Sequence, residues 1–187
     1  MLSATGRKYL RGPRGTGFLY VRRALLDQLE PPFLDLHAAQ WVSPNHYEIR
    51  PDARCFENWE TNYAGKIGLG VAIDYTNHIG PDTIWRRIKA LSYQLRSQLT
   101  TLPDVIVRDR GIMQCGIVSF TVEGHDPEDI KSDLATANIN ISVAVRSSAL
   151  LDMDARKLTS VVRASVHYYN SEEEVTRFCQ QMEKIAQ

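Results

Sequence analysis

The sequence carries no surplus of either charge. Twenty-two Lys and Arg stand against twenty-two Asp and Glu in 187 residues, so no global field draws the chain to nucleic acid or to a membrane, and any charge-driven binding is local. Cysteine is scarce. Cys55, Cys115 and Cys179 are odd in number, far apart and in no C-x-x-C pair, which argues against a disulfide framework or a zinc ribbon and fits reduced thiols. The histidines, His37, His46, His78, His125 and His167, show no metal-ligand spacing, so no metal is expected. No run approaches the roughly 20 apolar residues of a membrane span, and the N-terminus lacks the charged-then-apolar order of a signal peptide. The chain reads as soluble and cytoplasmic. There is no internal repeat and no low-complexity tract. What is present, 43% hydrophobic and 24% charged residues, is enough to bury a core.

Charge is balanced overall but not locally. Residues 1–23 hold Arg7, Lys8, Arg11, Arg14, Arg22 and Arg23 without one acidic residue, together with Gly6, Gly12, Gly15 and Gly17. This basic glycine loop feeds Phe18-Leu19-Tyr20-Val21, which reads as a buried strand. A short helix over 23–29 is stopped by Pro31-Pro32, and residues 31–58 read as an extended excursion. The small and apolar residues of 62–79 predict a helix packed closely on several sides, where Gly65, Gly68 and Gly70 mark close backbone approach. Gly80-Pro81 is a break. Ile84, Ile88, Leu91, Leu95 and Leu99 then have the spacing of a long amphipathic helix over 83–99. Beyond Pro103 short strands alternate with helices: strands at 105–108, 116–122, 141–146 and 161–169, and a helix at 127–138 capped by Asp126. A last helix follows the capping box that opens at Ser171. The fold class is α/β and α+β. Residues 81–187 form a small, largely antiparallel α+β domain with helices on one face, and residues 1–80 have too few strands for a domain of their own.

The segment Gly6-Arg7-Lys8 to Gly17 is neither a Walker loop, because Lys8 precedes the glycines, nor a G-x-G-x-x-G fingerprint. A lysine in such a turn can act as a Schiff-base amine when desolvation and neighbouring cations lower its pKa. A lysine near arginines is, however, ordinarily a solvated surface charge. Local chemistry leaves the two readings open.

Three ordered blocks add a resemblance. Ser3-Ala4-Thr5-Gly6-Arg7-Lys8 with Gly12-Pro13-Arg14-Gly15-Thr16-Gly17-Phe18-Leu19-Tyr20 resembles the segment around the internal-aldimine lysine of class V pyridoxal-phosphate aminotransferases. That family includes cysteine desulfurases, selenocysteine lyases and isopenicillin N epimerases. Phe56-Glu57-Asn58-Trp59-Glu60-Thr61-Asn62 with Ile67 to Tyr75 is similar to its second block, and Arg163 to Val175 to its third. The resemblance implies the C-terminal portion of a fold-type I enzyme dependent on pyridoxal 5'-phosphate. Residues 1–80 would then be a remnant of the large cofactor domain and residues 81–187 the complete small domain. It further implies that Lys8 binds the cofactor and moves the substrate α-proton, and that Arg163 grips the α-carboxylate of an amino-acid substrate through two parallel hydrogen bonds. Thr61 would reach the cofactor phosphate of a neighbouring subunit, which implies a homodimer. Arg146 would assist at the substrate end. From the residues alone, Arg163 is a strand arginine paired with a surface carboxylate, and Thr61 with Asn62 is a helix cap.

Two departures shape the expectation. The loop that carries the nucleophilic cysteine of the desulfurases here begins Ser147-Ser148-Ala149-Leu150. Persulfide chemistry by that route is disfavoured, which leaves transamination, racemisation or epimerisation, or a thiol-independent lyase reaction. The family lysine sits near mid-chain and here sits at position 8, so we expect a fragment that is inactive alone, with its N-terminal half possessed by a separate chain or lost. The alternative is a non-catalytic module for dimerisation or for binding phosphate or nucleic acid. Six cations in 23 residues support that alternative, but their aromatic interleaving is thin and nucleic acid is disfavoured.

Overall fold

The structure, a computed structural model, describes residues 1–186. The chain divides into two units, Met1–Ile79 and the residues from Gly80 onward. Gly80 has φ +93 and Pro81 occupies the first turn of the next helix. Glycine tolerates that backbone, and proline sacrifices no hydrogen bond at a helix start.

In the first unit, β1 (Leu2–Thr5) and β2 (Gly17–Tyr20) form a two-stranded antiparallel ladder that pairs Leu2 with Tyr20 and Thr5 with Gly17. Glycine is required at position 17, where an added Cβ would collide with the Ala4 carbonyl oxygen. A 3₁₀ turn, Arg23–Gln28, takes the place of the expected short helix. The expected excursion contains a second hairpin, β3 (Ala39–Ser43) with β4 (His46–Ile49), and a 3₁₀ turn at Ala53–Phe56 capped by Asp52. Helix α1 spans Tyr63–Ile79, and only Gly65 and Leu69 in it are buried. It is therefore less enclosed than its composition suggests. Gly65 and Gly68 do meet close neighbours, Asn62 and Pro13, whereas an added Cβ at Gly70 would meet nothing within 4 Å.

The second unit is built on a four-stranded antiparallel sheet in the order β5 (Val105–Val107), β6 (Ile117–Val122), β8 (Ser160–Ser165), β7 (Ser142–Val145). Alternation along the strands sends Val118, Phe120, Val122, Val162 and Ala164 to one face. There they pack with Leu91, Leu95 and Leu99 of α2 (Pro81–Thr100), Ile130 and Leu134 of α3 (Pro127–Thr136), and Val175, Phe178 and Met182 of α5 (Glu172–Ile185). The opposite face is covered only in part. Ala144 and Val161 pack there against Met153 of a short helix, α4 (Leu150–Ala155), which the periodicity did not announce.

The last strand ends earlier than the expected 161–169 because side-chain capping outcompetes the ladder. The Val166 N–H donates to Gly116 O, the His167 N–H is taken by Asn170 Oδ1, and the Asn170 N–H returns to His167 O. A tight turn over 167–170 results, leading directly into the capping box of α5, where Ser171 Oγ accepts from the Glu174 N–H and Glu174 accepts in return from Ser171.

Candidate active site

Lys8 lies at the tip of the turn that joins β1 to β2, with its residue exposed. The backbone beneath it is pinned three times: Gly6 N–H to Thr16 O at 2.8 Å, Gly12 N–H to Gly6 O at 2.8 Å, and Arg11 N–H to Lys8 O at 3.0 Å. Arg11 itself adopts φ +56 and places its guanidinium over the Tyr75 ring, 5.6 Å from the centroid. The glycines let this loop lie flat on α1. Added Cβ atoms at Gly6 and Gly12 would press on Leu69 Cδ1, at 2.7 and 3.1 Å, and one at Gly65 would press on Thr16 Cγ2. The lysine loop therefore rests on the first turns of α1, the helix that Thr61 and Asn62 introduce.

That helix start is capped by Asn62, whose Oδ1 accepts from the Gly65 N–H at 2.8 Å. Thr61, half-buried, stands just outside the cap. The two side-chain readings for this pair thus separate by residue, with the cap on Asn62. A primary amine on a pinned backbone and a threonine hydroxyl outside the helix cap suit the carbonyl and phosphate ends of a pyridoxal cofactor.

Arg163 and Arg146 belong to the second unit. Arg163 is half-buried on β8, between Ser119 of β6 and Ser142 of β7 in register. Its parity with Val161 puts it on the partly covered sheet face. Most other arginines of this unit are committed. Arg87 holds Glu172 and the Asn170 carbonyl, and Arg96 holds Asp109. Arg156 holds Asp152, and both arms of Arg146 grip Asp154 of α4. Among the described residues the Arg163 side chain makes no ion pair and no hydrogen bond. The expectation of a surface carboxylate partner for it, drawn from residue type alone, does not match this arrangement.

Sequence reasoning missed the polar group beside Arg163. Asp109 accepts from the backbone N–H and the hydroxyl of Ser119 and from Arg96 Nε, and Arg96 also donates to the carbonyls of Cys115 and Ile117. The one visible signal was Ser119, which with Thr121 puts polar residues at alternate positions of the strand Ile117–Val122.

The thiols divide by burial. Cys179 lies in the core, where desolvation pushes its pKa up to about 11, and Cys55 is buried with its pKa likewise raised by desolvation. Cys115 is exposed, in the loop before β6. The segment after β7 is a 3₁₀ turn, Arg146–Ser148, running into α4. A cavity of about 440 Å³ lined by Arg108, Thr121, Glu123, His125, Lys157 and Ser160 includes none of the four positions above. Among the described residues no helix is long and apolar enough to cross a membrane.

Comparison with known proteins gives this geometry a context. The family model described as aminotransferase class-V matches residues 1–178. A probable cysteine desulfurase of Methanothermobacter thermautotrophicus is 32% identical over 187 residues, covering 97% of this chain and 46% of the relative. One from Xylella fastidiosa is 35% identical over 185 residues, covering 97% and 43%. The apo structure of a cysteine desulfurase from Thermococcus onnurineus superposes with a TM-score of 0.88 at 32% identity, over 98% of this chain and 46% of that one. The chain spans a little under half the length of these relatives, and its mixed α/β architecture is that of part of a fold-type I enzyme. Because the match spans residues 1–178, from β1 past the lysine loop and both arginine positions into α5, this chain belongs to the class-V aminotransferase family.

Proposed function

We propose that the chain supplies the lysine and the substrate-carboxylate arginine of a pyridoxal-phosphate enzyme acting on an amino acid, and that it works as one part of that enzyme. The observation that carries this is Arg163, a half-buried guanidinium with no partner among the described residues, set between two small serines. Burying an arginine without a carboxylate is costly unless a ligand completes it. A planar fork with open donors matches a carboxylate by two parallel hydrogen bonds.

When bound, pyridoxal phosphate supplies an electron sink that makes the substrate's Cα–H acidic. Lys8 Nζ would hold the cofactor and exchange the proton at Cα, and the pinned turn limits how far the amine wanders. Thr61 Oγ1 would donate toward the cofactor phosphate of the neighbouring subunit. Arg163 fixes the carboxylate and so the orientation of the Cα–H bond. Arg146, tied to Asp154, braces the segment after β7 at the substrate end. Homodimeric sharing of the Thr61 contact belongs to this reading.

The reaction branch favoured is transamination, epimerisation or a lyase step without an enzymic thiol. The segment after β7 carries Ser147 and Ser148 where a nucleophilic thiol would be needed, and the buried Cys179 and Cys55 are held protonated. The relatives named as cysteine desulfurases favour sulfur-containing amino acids as the substrate class.

Two measurements on the full chain test the proposal. In an arginine-labelled NMR titration, millimolar L-alanine is expected to shift the Arg163 Nε–Hε signal, with the shift lost in Arg163→Ala. Borohydride reduction after incubation with pyridoxal phosphate is expected to fix the label mainly on Lys8. An unmoved Arg163 signal, or label spread evenly over Lys8, Lys66, Lys89, Lys131, Lys157 and Lys184, would refute the assignment.

A further inference from the structure

In the second unit Arg87, Arg146 and Arg156 each hold a carboxylate, whereas Arg163 leaves a neighbouring one untaken. Ser119 stands opposite Arg163 in the β6–β8 register, with both side chains on the partly covered face of the sheet. Asp109 Oδ1 lies 2.9 Å from the Ser119 backbone nitrogen and 2.5 Å from its hydroxyl oxygen. The carboxylate is thus one strand away from Arg163, a gap that long side chains cross. A half-buried guanidinium gains from such a partner, because both charges are then compensated where water is scarce. That Arg163 does not take Asp109 needs a cause.

Arg96 supplies it. Asp109 Oδ1 accepts the N–H and the O–H of Ser119, which occupies both lone pairs of that oxygen, and Oδ2 accepts from Arg96 Nε at 2.7 Å. Arg96 is fixed at its other end, where Nη2 donates to the Cys115 and Ile117 carbonyls at 2.8 and 2.9 Å. With side chains only 12% and 11% exposed, Arg96 and Asp109 form a neutral pair sheltered from solvent. Asp109 therefore has no net charge to offer a second guanidinium. Without Arg96 the same carboxylate would be an uncompensated anion beside Arg163, drawing the guanidinium and repelling an incoming carboxylate.

We propose that Arg96 is a positioning residue for the carboxylate site: by neutralising Asp109 it keeps the Arg163 fork open for a ligand and removes the charge that would exclude one. This rests on the reading above that Arg163 receives the substrate carboxylate. Arg96 itself touches no substrate and acts entirely through Asp109.

The test follows the Arg163 Nε–Hε signal, assigned by its loss in Arg163→Ala, in the full chain. In Arg96→Gln without ligand the signal should move, and its exchange with solvent should slow at least tenfold as Asp109 captures the guanidinium. The L-alanine concentration that gives half the ligand shift should rise at least tenfold. Arg96→Lys keeps the charge, and Arg96→Gln combined with Asp109→Asn removes both charges. Each should bring both readings back to within threefold of the unaltered chain. Arg87→Gln breaks another arginine–carboxylate pair of α2 and should change neither reading. Hydrogen exchange across β6 and β8 reports whether each variant stays folded. A signal that exchanges as fast in Arg96→Gln as in the unaltered chain would overturn the proposal, and so would a double variant as impaired as the single one. Loss of the fold in Arg96→Gln would do so too, because Arg163 would then not be compensating Asp109. The exchange reading needs no ligand, whereas failure of L-alanine to move Arg163 in the unaltered chain refutes only the carboxylate-grip reading, so the two fail separately.

Discussion

Asp109 is 11% exposed at its side chain and takes donors from the Ser119 backbone, the Ser119 hydroxyl and Arg96, itself 12% exposed. Removing one member of a buried pair leaves the other desolvated and uncompensated, which costs about 3–5 kcal/mol. Asp109→Ala should therefore destabilise the second unit by about 3 kcal/mol, the lower figure because the Cys115 and Ile117 carbonyls still receive Arg96. Urea unfolding followed by circular dichroism reads this directly, and a loss below 1 kcal/mol would mean that water replaces the carboxylate. The same substitution frees Ser119 beside Arg163. At this scale the candidate residues were more legible than the polar groups around them. Lys8 and Arg163 stand in recognisable motifs, whereas Asp109 reaches Ser119 across ten residues of loop and strand, a pairing that no local pattern encodes.

Helix α5 shows what sequence pattern does encode. Ser171 and Glu174 form the capping box their spacing announces, and the apolar positions 175, 178, 179 and 182 are all buried. Ser171→Ala should cost about 1 kcal/mol, measured by thermal or urea unfolding. Beside the box, hydrogen bonding to Arg87 lowers the Glu172 carboxyl from its ordinary 4.5 to about 2. A carboxylate lowered on folding stabilises the fold above its unfolded pKa and loses that contribution as pH falls through the folded value. The second unit should thus lose stability between about pH 4.5 and 2. Glu172→Gln should flatten part of that loss, and added salt should shrink it because the pair is exposed. Long helices and central strands were legible because periodicity and burial coincide there. The Asn170 turn that ends β8 was not, because a side chain replacing a ladder partner leaves the hydrophobic pattern unchanged up to Tyr169. Helix α4 escaped for a related reason: six residues are too few for a 3.6-residue period to emerge.

For the molecule as a whole, the uneven division of buried apolar residues predicts uneven resistance. Trypsin should cut first among Arg7, Lys8, Arg11, Arg14, Arg22 and Arg23, and leave a longer-lived product that contains the sheet, α2 and α5. Mass spectrometry of a time course identifies it; equal survival of peptides from both units would contradict the prediction. The strand order also bears on how the second unit is made. Its sheet joins Val118 to Ala164, and one of its two central strands, β8, is the last in sequence. A ribosome emits β5 and β6 before α3, β7 and α4, and β6 receives its inner neighbour only after them. Until β8 emerges, α2, already made, can cover Val118 and Phe120, and what slow synthesis lengthens is the time for which the open edge of β6 stays unpaired.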